Sequence, residues 1–468
     1  MTSHTPVTPA PARAGGRAGG PAAALVLPAA ATLLALMNYC APTGTLVATA
    51  AGLHAGPTAQ IWVLSSISLG LAAVLLAVGG LADDHGRRRV FTGGAVLLAL
   101  SSAGCALAPN AAVFVAGRIA QGAASAALLA GGLGIVGHAF SGPARARATG
   151  VWGAMIGLGI ALGPLAAAAL AVLDWRLWYW ACLAAAAGLA VAARALPESR
   201  AERRRGLDLP GMATMSGGVA ALLTAITLGR TGWTRPAVAV LLAAGLVLLG
   251  AFVAVERRRR EPMLDLGLLR RPPFLVATLG ALVTGLAVIG VMNYLATVLD
   301  LVYGLAPPTA ALLLSVWSVL SFAAALQARR LTVRVAPRAL LASGLALSAV
   351  GDVAMLGLAP GGHLWRLVPG LVVGGVGSGL ANAMLARLAV ESVPADRASM
   401  GSGANNTARY VGASLGVAMV VAIATGGGHS PDAIARGANT ALLASAVLAA
   451  AGAAVAAAIR ERPAPRAR

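Results

Sequence analysis

Asp352 and Arg118 lie inside long apolar segments, where ionisable side chains are rare and are functional candidates by default. A carboxylate surrounded by hydrocarbon favours its neutral form, which suits a group that binds and releases a proton. Asp352 is therefore either a proton carrier or a structural carboxylate that is neutral or paired with an arginine. Arg118 is either a functional residue or a buried strut that bonds to polar groups.

A polar cluster lies in the middle of the first apolar segment, within Met37-Asn38-Tyr39-Cys40-Ala-Pro42-Thr43. Polar and aromatic groups at this depth predict the lining of a cavity that binds small molecules. Asn38 could equally bond to a neighbouring helix. The candidate cavity residues combine amide, hydroxyl and aromatic groups and are Asn38, Tyr39, Thr43, Asn293, Tyr294, Trp317, Asn382, Asn405 and Asn406.

Several kinds of chemistry are excluded by what the sequence lacks. All 35 basic residues are arginine, so a P-loop lysine and a Schiff-base lysine are both absent, and ATP-driven pumping by this chain alone is excluded. Cys40, Cys105 and Cys182 are far apart, and neither they nor the six histidines show metal-binding spacing, so we expect no metal and no cofactor. A multispan membrane enzyme is a remote alternative, because it would need paired His or Asp residues in adjacent spans.

The composition predicts a membrane protein. Apolar residues make up 58% of the 468 residues, charged residues make up 11%, and the mean hydropathy is +0.82. A soluble domain needs far more polar surface than this. The net charge of +20 raises the alternative of nucleic-acid binding. The arginines, however, lie in short clusters between apolar segments, so we expect no nucleic-acid partner.

Fourteen segments are long and apolar enough to cross a bilayer as helices. About 20 helical residues cross roughly 30 Å of hydrocarbon. Ile61–Leu81, for example, contains no charged residue. The sequence thus predicts an all-α integral membrane protein. The predicted spans are 25–48, 60–81, 90–108, 112–138, 150–172, 177–196, 209–228, 236–255, 274–298, 307–327, 338–358, 367–389, 403–425 and 438–459.

The arginines between the spans predict the orientation of the chain. When alternate connections are assigned to opposite sides, one side with both tails carries 27 arginines and the other carries five. Arginine-rich connections face the cytosol. We therefore expect a multi-pass protein of the inner (cytoplasmic) membrane with both termini cytosolic, which agrees with an even number of spans.

The first 24 residues are rich in Pro, Ala, Gly and Arg and predict a disordered cytosolic tail. A signal peptide is the competing interpretation, since Arg13 and Arg17 precede an apolar run. The thirteen later spans and the even count require the first span to remain, which favours a tail. Residues 461–468 form a second predicted cytosolic tail.

The connection between spans two and three carries a motif with a physical purpose. Gly80 allows close helix approach, and Gly86 allows a tight turn. Asp83 can pair with an arginine or cap a neighbouring helix. The plain alternative is an ordinary basic loop on the inner side. The full motif reads Gly80-Leu-Ala-Asp83-Asp84-His85-Gly86-Arg87-Arg88-Arg89.

This motif resembles the signature of the major facilitator superfamily, Gly-x-Leu-x-Asp-Arg-x-Gly-Arg-Arg. Asp84 departs from it, because the family usually has arginine or lysine there, so the charge network of the inner gate is expected to be rearranged. The matching residues are Gly80, Asp83, Gly86, Arg87 and Arg88.

Two further motifs resemble the same superfamily. Arg118-Ile-Ala-Gln121-Gly122 in span four is similar to a family motif linked to proton transfer. Gly159-x-x-x-Gly163-Pro164 in span five resembles the antiporter motif, although Ala167-Ala168 replaces its final glycine pair. Small residues four apart allow close helix packing, and the proline introduces a kink.

Shorter motifs resemble the fourteen-span drug:proton antiporter branch, the multidrug and antibiotic efflux type. They are Asp174-Trp-Arg-Leu-Trp178, Leu196-Pro-Glu-Ser199, Asp208-Leu-Pro-Gly211, Glu261-Pro-Met-Leu-Asp265 and Gly403-Ala-Asn-Asn-Thr-Ala-Arg409.

The resemblance implies two six-helix bundles around a cavity, residues 25–200 and 261–460, and an inserted transmembrane pair with basic flanks, residues 201–260. Rocking of the bundles would give alternating access. The implied partners are a small-molecule substrate, protons as the coupling ion and the lipid bilayer, with the chain acting as a monomer.

The branch usually carries an aspartate in span one, and this chain has none there. Asp352 is the replacement we consider first, with Arg118 as a modulator. We predict proton-driven export of drugs, antibiotics or other amphipathic molecules. A major-facilitator importer or uniporter of a small metabolite is the alternative.

Overall fold

The computed structural model of the protein describes residues 20–201, 208–230, 232–259, 261–331, 335–428 and 430–459, and most of these residues lie in helices joined by short connections. Sixteen α-helices in these ranges form two bundles and an extra pair. The first bundle contains α1 (Pro21–Cys40), α2 (Pro42–Gly52), α3 (Pro57–His85), α4 (Arg87–Ala106), α5 (Ala111–Ala139), α6 (Gly142–Ala171) and α7 (Leu177–Ala192).

The extra pair and the second bundle follow in chain order. The extra pair is α8 (Leu209–Gly229) and α9 (Pro236–Arg258). The second bundle contains α10 (Pro272–Val283), α11 (Gly290–Tyr303), α12 (Pro307–Leu331), α13 (Pro337–Ala354), α14 (Leu367–Glu391), α15 (Ala398–Thr425) and α16 (Pro431–Ala458).

The first predicted span is divided between α1 and α2. Pro42 has no N–H to continue the hydrogen-bond ladder, so α1 ends at Cys40 and α2 begins at Pro42. Ala41 keeps helical dihedral angles (φ −49°, ψ −41°), so the chain bends without reversing. Gly44 follows the bend and packs directly on the backbone of Pro164 in α6, where a side chain would not fit.

The ninth predicted span is continuous but irregular. A π-helical turn, Thr284–Ile289, joins α10 to α11 and packs against α15. Single π-turns inside α-helices are frequent at functional sites. Gly285 lies against the backbone of Arg409 and Gly290 against Gly416, so this turn lets α15 approach closely.

The two bundles meet through a few helices. α6 packs on α12 and α14, and α3 packs on α15. The extra pair covers one side of this junction, because α8 contacts both α3 and α15, while α9 packs on α8. We call the end of the bundles at the α3–α4 connection the Gly86 end, and the opposite end, where α11 finishes, the Asp300 end.

Thirteen helices in the described part of the chain are long and apolar enough to cross a membrane. The eleventh predicted span, 338–358, is the one without a counterpart among these thirteen. It corresponds to α13, which has only 18 residues and is less apolar because it contains Arg338 and Asp352. α13 packs between α14 and α16 inside the second bundle. The other predicted spans match helices whose ends differ by several residues.

The predicted tails need one correction. Pro21 already begins α1, since proline is well suited to the first turn of a helix, so the tail boundary at residue 24 is too late. The rest of that tail, residues 1–19, and the second tail, residues 461–468, lie outside the described residues.

Candidate functional site

Asp83, in the last turn of α3, joins the two bundles at the Gly86 end. Its Oδ1 accepts hydrogen bonds from Nε and Nη2 of Arg87 at 2.9 and 2.7 Å. Its Oδ2 accepts from the backbone N–H of Met400 at 2.7 Å, at the start of α15. The carboxylate therefore pairs with an arginine and also caps a helix of the other bundle.

Arg87 crosses between the bundles as well. Its side chain is fully buried and donates to Ser399 Oγ at 3.2 Å and to the Asp396 carbonyl at 2.8 Å. Together with Asp83 it forms a buried, charge-assisted network that joins the two bundles at the Gly86 end.

Asp84, the departure from the family signature, forms a second cross-link. Arg397, in the 3-10 turn Ala395–Arg397 before α15, donates from Nη1 to Asp84 Oδ1 at 2.7 Å. Both side chains are largely buried, with 14% of Asp84 and 7% of Arg397 exposed. The reversed charge on α3 thus has a cation of the other bundle as its partner.

The connection after α7 supports the same turn. Gly86 has φ +115°, a conformation that favours glycine. The backbone N–H of Arg87 donates to the Ser199 carbonyl at 2.9 Å, and that of Arg88 donates to Glu198 Oε1 at 3.2 Å. The Leu196-Pro-Glu-Ser199 motif therefore has a local role, which is to hold the α3–α4 connection.

The glycine that allows close approach is not the one that the sequence predicted. A Cβ at Gly79 would lie 2.5 Å from the Ser399 carbonyl oxygen, whereas one at Gly80 would make only an ordinary contact with Met263 at 3.4 Å. Gly79 faces α15 and Gly80 is turned away from it, because successive helical residues are rotated by about 100°.

Arg118 forms a compact polar cluster inside the first bundle. Its Nη1 donates to the carbonyl and Oδ1 of Asn38, at 3.0 and 3.1 Å, and to Gln121 Oε1 at 2.9 Å. Gln121 in turn donates to Ser102 Oγ at 2.9 Å. Arg118 and Asn38 are both fully buried. Asn38 thus bonds to a neighbouring helix, and its assignment to the cavity lining is corrected.

The glycines of spans four and five serve close packing. Gly159 and Gly163 face α1, where a Cβ on Gly159 would lie 2.6 Å from that of Leu36. Gly122 faces α3, where a Cβ would lie 2.6 Å from the Leu71 nitrogen. Pro164 lines the cavity described next.

A cavity lies between the bundles, beyond the closed contacts at the Gly86 end. It consists of two adjoining spaces of about 290 and 230 Å³, which share lining residues such as Tyr39 and Asn293. Asn293, Thr297 and Asp300 are exposed along one face of α11, so the cavity follows that face towards the Asp300 end. Five predicted cavity residues line it, namely Tyr39, Thr43, Asn293, Tyr294 and Trp317.

Three other predicted cavity residues lie in helix contacts instead. Asn405 donates to the Ala277 carbonyl at 2.8 Å, Asn406 donates to the Ser402 carbonyl at 3.1 Å, and Asn382 is buried in α14. None of them lines the two spaces. Amides inside a bundle satisfy backbone groups as readily as they bind ligands.

Asp352 lies apart from both the cavity and Arg118. It is in the last turn of α13, in the second bundle, and it lines neither space. Its side chain is buried, and Oδ2 has no hydrogen-bond partner among the described residues. The structure therefore does not bring Asp352 and Arg118 together, and the expectation that Asp352 lies deep inside its span is corrected, because α13 ends at Ala354.

The charged residues of the cavity were not among the candidates predicted from the sequence. Arg409 and Asp300 line one space and Arg230 lines the other. Arg409 lies within a segment predicted to span the membrane, so the argument applied to Arg118 would have found it. Arg230 was assigned to a connection outside the spans, and no sequence signal placed it between the bundles.

The fold and these motifs agree with a family model. The model described as Major Facilitator Superfamily matches residues 28–417. The chain belongs to this superfamily.

The relatives of this chain include several export and resistance proteins. The probable actinorhodin transporter of Streptomyces coelicolor is 33% identical over 82% of this chain and 68% of its own length. The puromycin resistance protein pur8 of Streptomyces alboniger is 33% identical over 86% and 81%. The multidrug efflux pump LfrA of Mycolicibacterium smegmatis is 30% identical over 89% and 83%.

Among solved structures, the proton:xylose symporter XylE superposes with a TM-score of 0.67 at 13% identity, covering 93% of this chain and 94% of that one. This likeness shows the fold alone.

Proposed function

We propose that the protein exports drugs, antibiotics or other small amphipathic molecules from the cell by alternating access, in exchange for protons. The observation that carries this proposal is the cavity between two bundles that buried charged side chains cross-link at the Gly86 end. Contacts such as Asp84–Arg397 can be exchanged for water when the bundles rock. The similarity to export and resistance proteins supports export over import.

The expected orientation identifies the side of the membrane to which the described conformation is closed. The 27-to-5 split of arginines favours a cytosolic Gly86 end in the inner membrane. The described conformation would then be closed to the cytosol, with its cavity reached from outside along α11. Loading from the cytosol requires the Asp83 and Asp84 contacts to open.

Proton exchange would supply the driving force. Each charge that moves inward through 100 mV gains about 2.3 kcal/mol, which suffices for more than about tenfold accumulation. Asp352 is the proposed proton carrier. Arg118 bonds only to neutral oxygens of Asn38 and Gln121 in the described residues, so any influence on Asp352 would act at long range.

A susceptibility panel tests the proposal. The protein is expressed in a bacterial host that lacks its main efflux pumps, and growth in antibiotics, dyes and detergents is compared with an empty-vector strain. We expect raised resistance and lower accumulation of at least one compound, and a protonophore should abolish both. Higher accumulation in the expressing strain would instead identify an importer, and unchanged accumulation throughout would contradict export.

A further inference from the structure

The cavity carries more positive than negative charge. Among its described lining residues, Arg409 and Arg230 are cationic and Asp300 is the one carboxylate. Asp300 is exposed near the end of α11, whereas Arg409 is only 2% exposed. The buried part of the cavity is therefore cationic.

Arg409 differs from the buried Arg87 and Arg118, because its side chain has no hydrogen-bond partner within the part of the chain that the structure describes. Arg87 is paired with Asp83, and Arg118 donates to three oxygens. The Nε and Nη2 atoms of Arg409 are buried and have no hydrogen-bond partner among the described residues, although the side chain lines the cavity. Burial of a guanidinium without a hydrogen-bond acceptor costs free energy. A ligand that supplies an acceptor would recover part of this cost.

Aromatic side chains line the same space as Arg409. Tyr410 follows it in α15, and the Tyr410 ring lies 5.6 Å from that of Tyr39 in the first bundle. Both tyrosines and Trp317 line the same space, with aliphatic groups such as Leu36 and Ile160. A ligand there would have an apolar surface for its body and a guanidinium for an anionic group.

Arg230 extends the cationic lining into the adjoining space. It follows α8 of the extra pair, and its Nη1 donates to Ser65 Oγ at 3.3 Å, while its Nε has no partner among the described residues. The extra pair thus contributes a charged group to the cavity.

We propose that the cavity selects amphipathic organic anions, with Arg409 binding a substrate carboxylate and Arg230 providing a second cation. This inference rests on the proposed export function and names its substrate class. Guanidinium–carboxylate pairs form two parallel hydrogen bonds, which gives affinity and orientation together. The apolar body would lie between Trp317 and the aliphatic wall.

Binding to the purified full-length protein in nanodiscs tests the assignment. Three carboxylates, 4-(1-pyrenyl)butyrate, cholate and dansyl-glycine, are each compared with the corresponding primary amide, which is uncharged and of similar size. We expect the wild type to bind at least one carboxylate about tenfold or more tightly than its amide, which is typical of a hydrogen bond to a charged group. Arg409→Gln should remove this preference, and Arg409→Lys should retain part of it.

Arg436→Gln is the matched control, because it makes the same change of charge at an exposed position of α16. It should leave the preference unchanged. The comparison of acid and amide uses the wild type, so it remains valid even if Arg409→Gln does not fold. If no carboxylate binds better than its amide, or if Arg409→Gln keeps the full preference, the anion assignment is overturned. The susceptibility panel measures export independently, so these failures do not contradict the proposed function.

Discussion

Arg397 of the second bundle donates a hydrogen bond to Asp84 of the first at 2.7 Å. Asp84 occupies the position where the family signature usually has a basic residue. The two side chains are mostly buried, so they interact more strongly than an exposed pair. This contact adds a charged cross-link between the bundles beside Asp83. The departure from the signature is therefore matched by a cation across the junction.

Reversal of the charge at position 84 tests this pairing. Asp84→Arg would place two arginines in contact, and like charges at an interface cost several kcal/mol, so we expect transport to slow by about tenfold or more. The double variant Asp84→Arg/Arg397→Asp should recover most of the rate. Efflux rate in cells with equal expression is the measurement.

Glu391→Arg is the control for that experiment. It breaks the Arg387–Glu391 ion pair, which joins two residues of α14 within one bundle. We expect little effect on transport, because this pair does not cross the junction. Equal loss in Glu391→Arg and Asp84→Arg, or no recovery in the double variant, would show that the Asp84–Arg397 contact has no special part in gating.

Asp83→Asn should slow transport sharply while the protein still reaches the membrane. The change leaves Arg87 buried without its anion, and removal of one partner from a buried pair costs about 3–5 kcal/mol. Because the contacts to Met400 and Ser399 stabilise the closed Gly86 end, the population should shift away from this state.

Labelling of the cavity measures this shift. Thr297→Cys introduces a thiol on the exposed face of α11, in a Cys40→Ala background that removes the native cavity thiol. A membrane-impermeant maleimide added outside should react more slowly when Asp83→Asn is also present. An unchanged labelling rate together with normal transport would contradict the gating role.

Topology can be tested by reporter fusions around the extra pair. Fusions after Arg205 and after Arg260, two positions outside the described residues, should report a cytosolic location, and a fusion near Arg230 should report an external one. The expectation follows from the arginine split and from α8 and α9 each being long enough to cross. If the fusions after Arg205 and Arg260 report opposite sides, the extra pair does not cross the membrane twice, and the prediction of fourteen spans is wrong.

The spans could be predicted because hydropathy is a local property. Each apolar run became a helix, and Pro42 divided the first one for a reason visible in the sequence. The weakest match is α13, where Asp352 and Arg338 reduce the apolar character of a short helix.

The lining of the cavity could not be predicted in the same way. Asn38 and Tyr39 are adjacent, but one bonds to Arg118 and the other faces the cavity, because neighbouring positions on a helix point in different directions. The missing information is the rotation of each helix, which depends on packing between distant segments. Arg230 shows the same limit, since its place beside Ser65 depends on how α8 docks against α3.

Asp352 is the proposed proton carrier. Asp352 is a buried carboxylate whose Oδ2 lacks a partner among the described residues, and it lies outside the cavity, so protonation there would act on the packing of α13 against α14 and α16. If Asp352 carries the proton, Asp352→Asn should abolish uphill efflux while ligand binding and downhill exchange survive. Substrate-induced proton release in proteoliposomes is the measurement.

Asp432→Asn is the matched control, because it removes an exposed carboxylate of α16 that lines neither space of the cavity. It should leave proton release intact. Undiminished proton release in Asp352→Asn would contradict the assignment of Asp352 as the proton carrier. Uphill efflux that persists without any proton release would point to the membrane potential, which drives an anion out of a cell by about 2.3 kcal/mol per 100 mV and needs no carboxylate. Arg409 provides the binding group that such an anionic substrate requires. Efflux that follows an imposed membrane potential in the absence of a proton gradient would separate this mechanism from proton exchange.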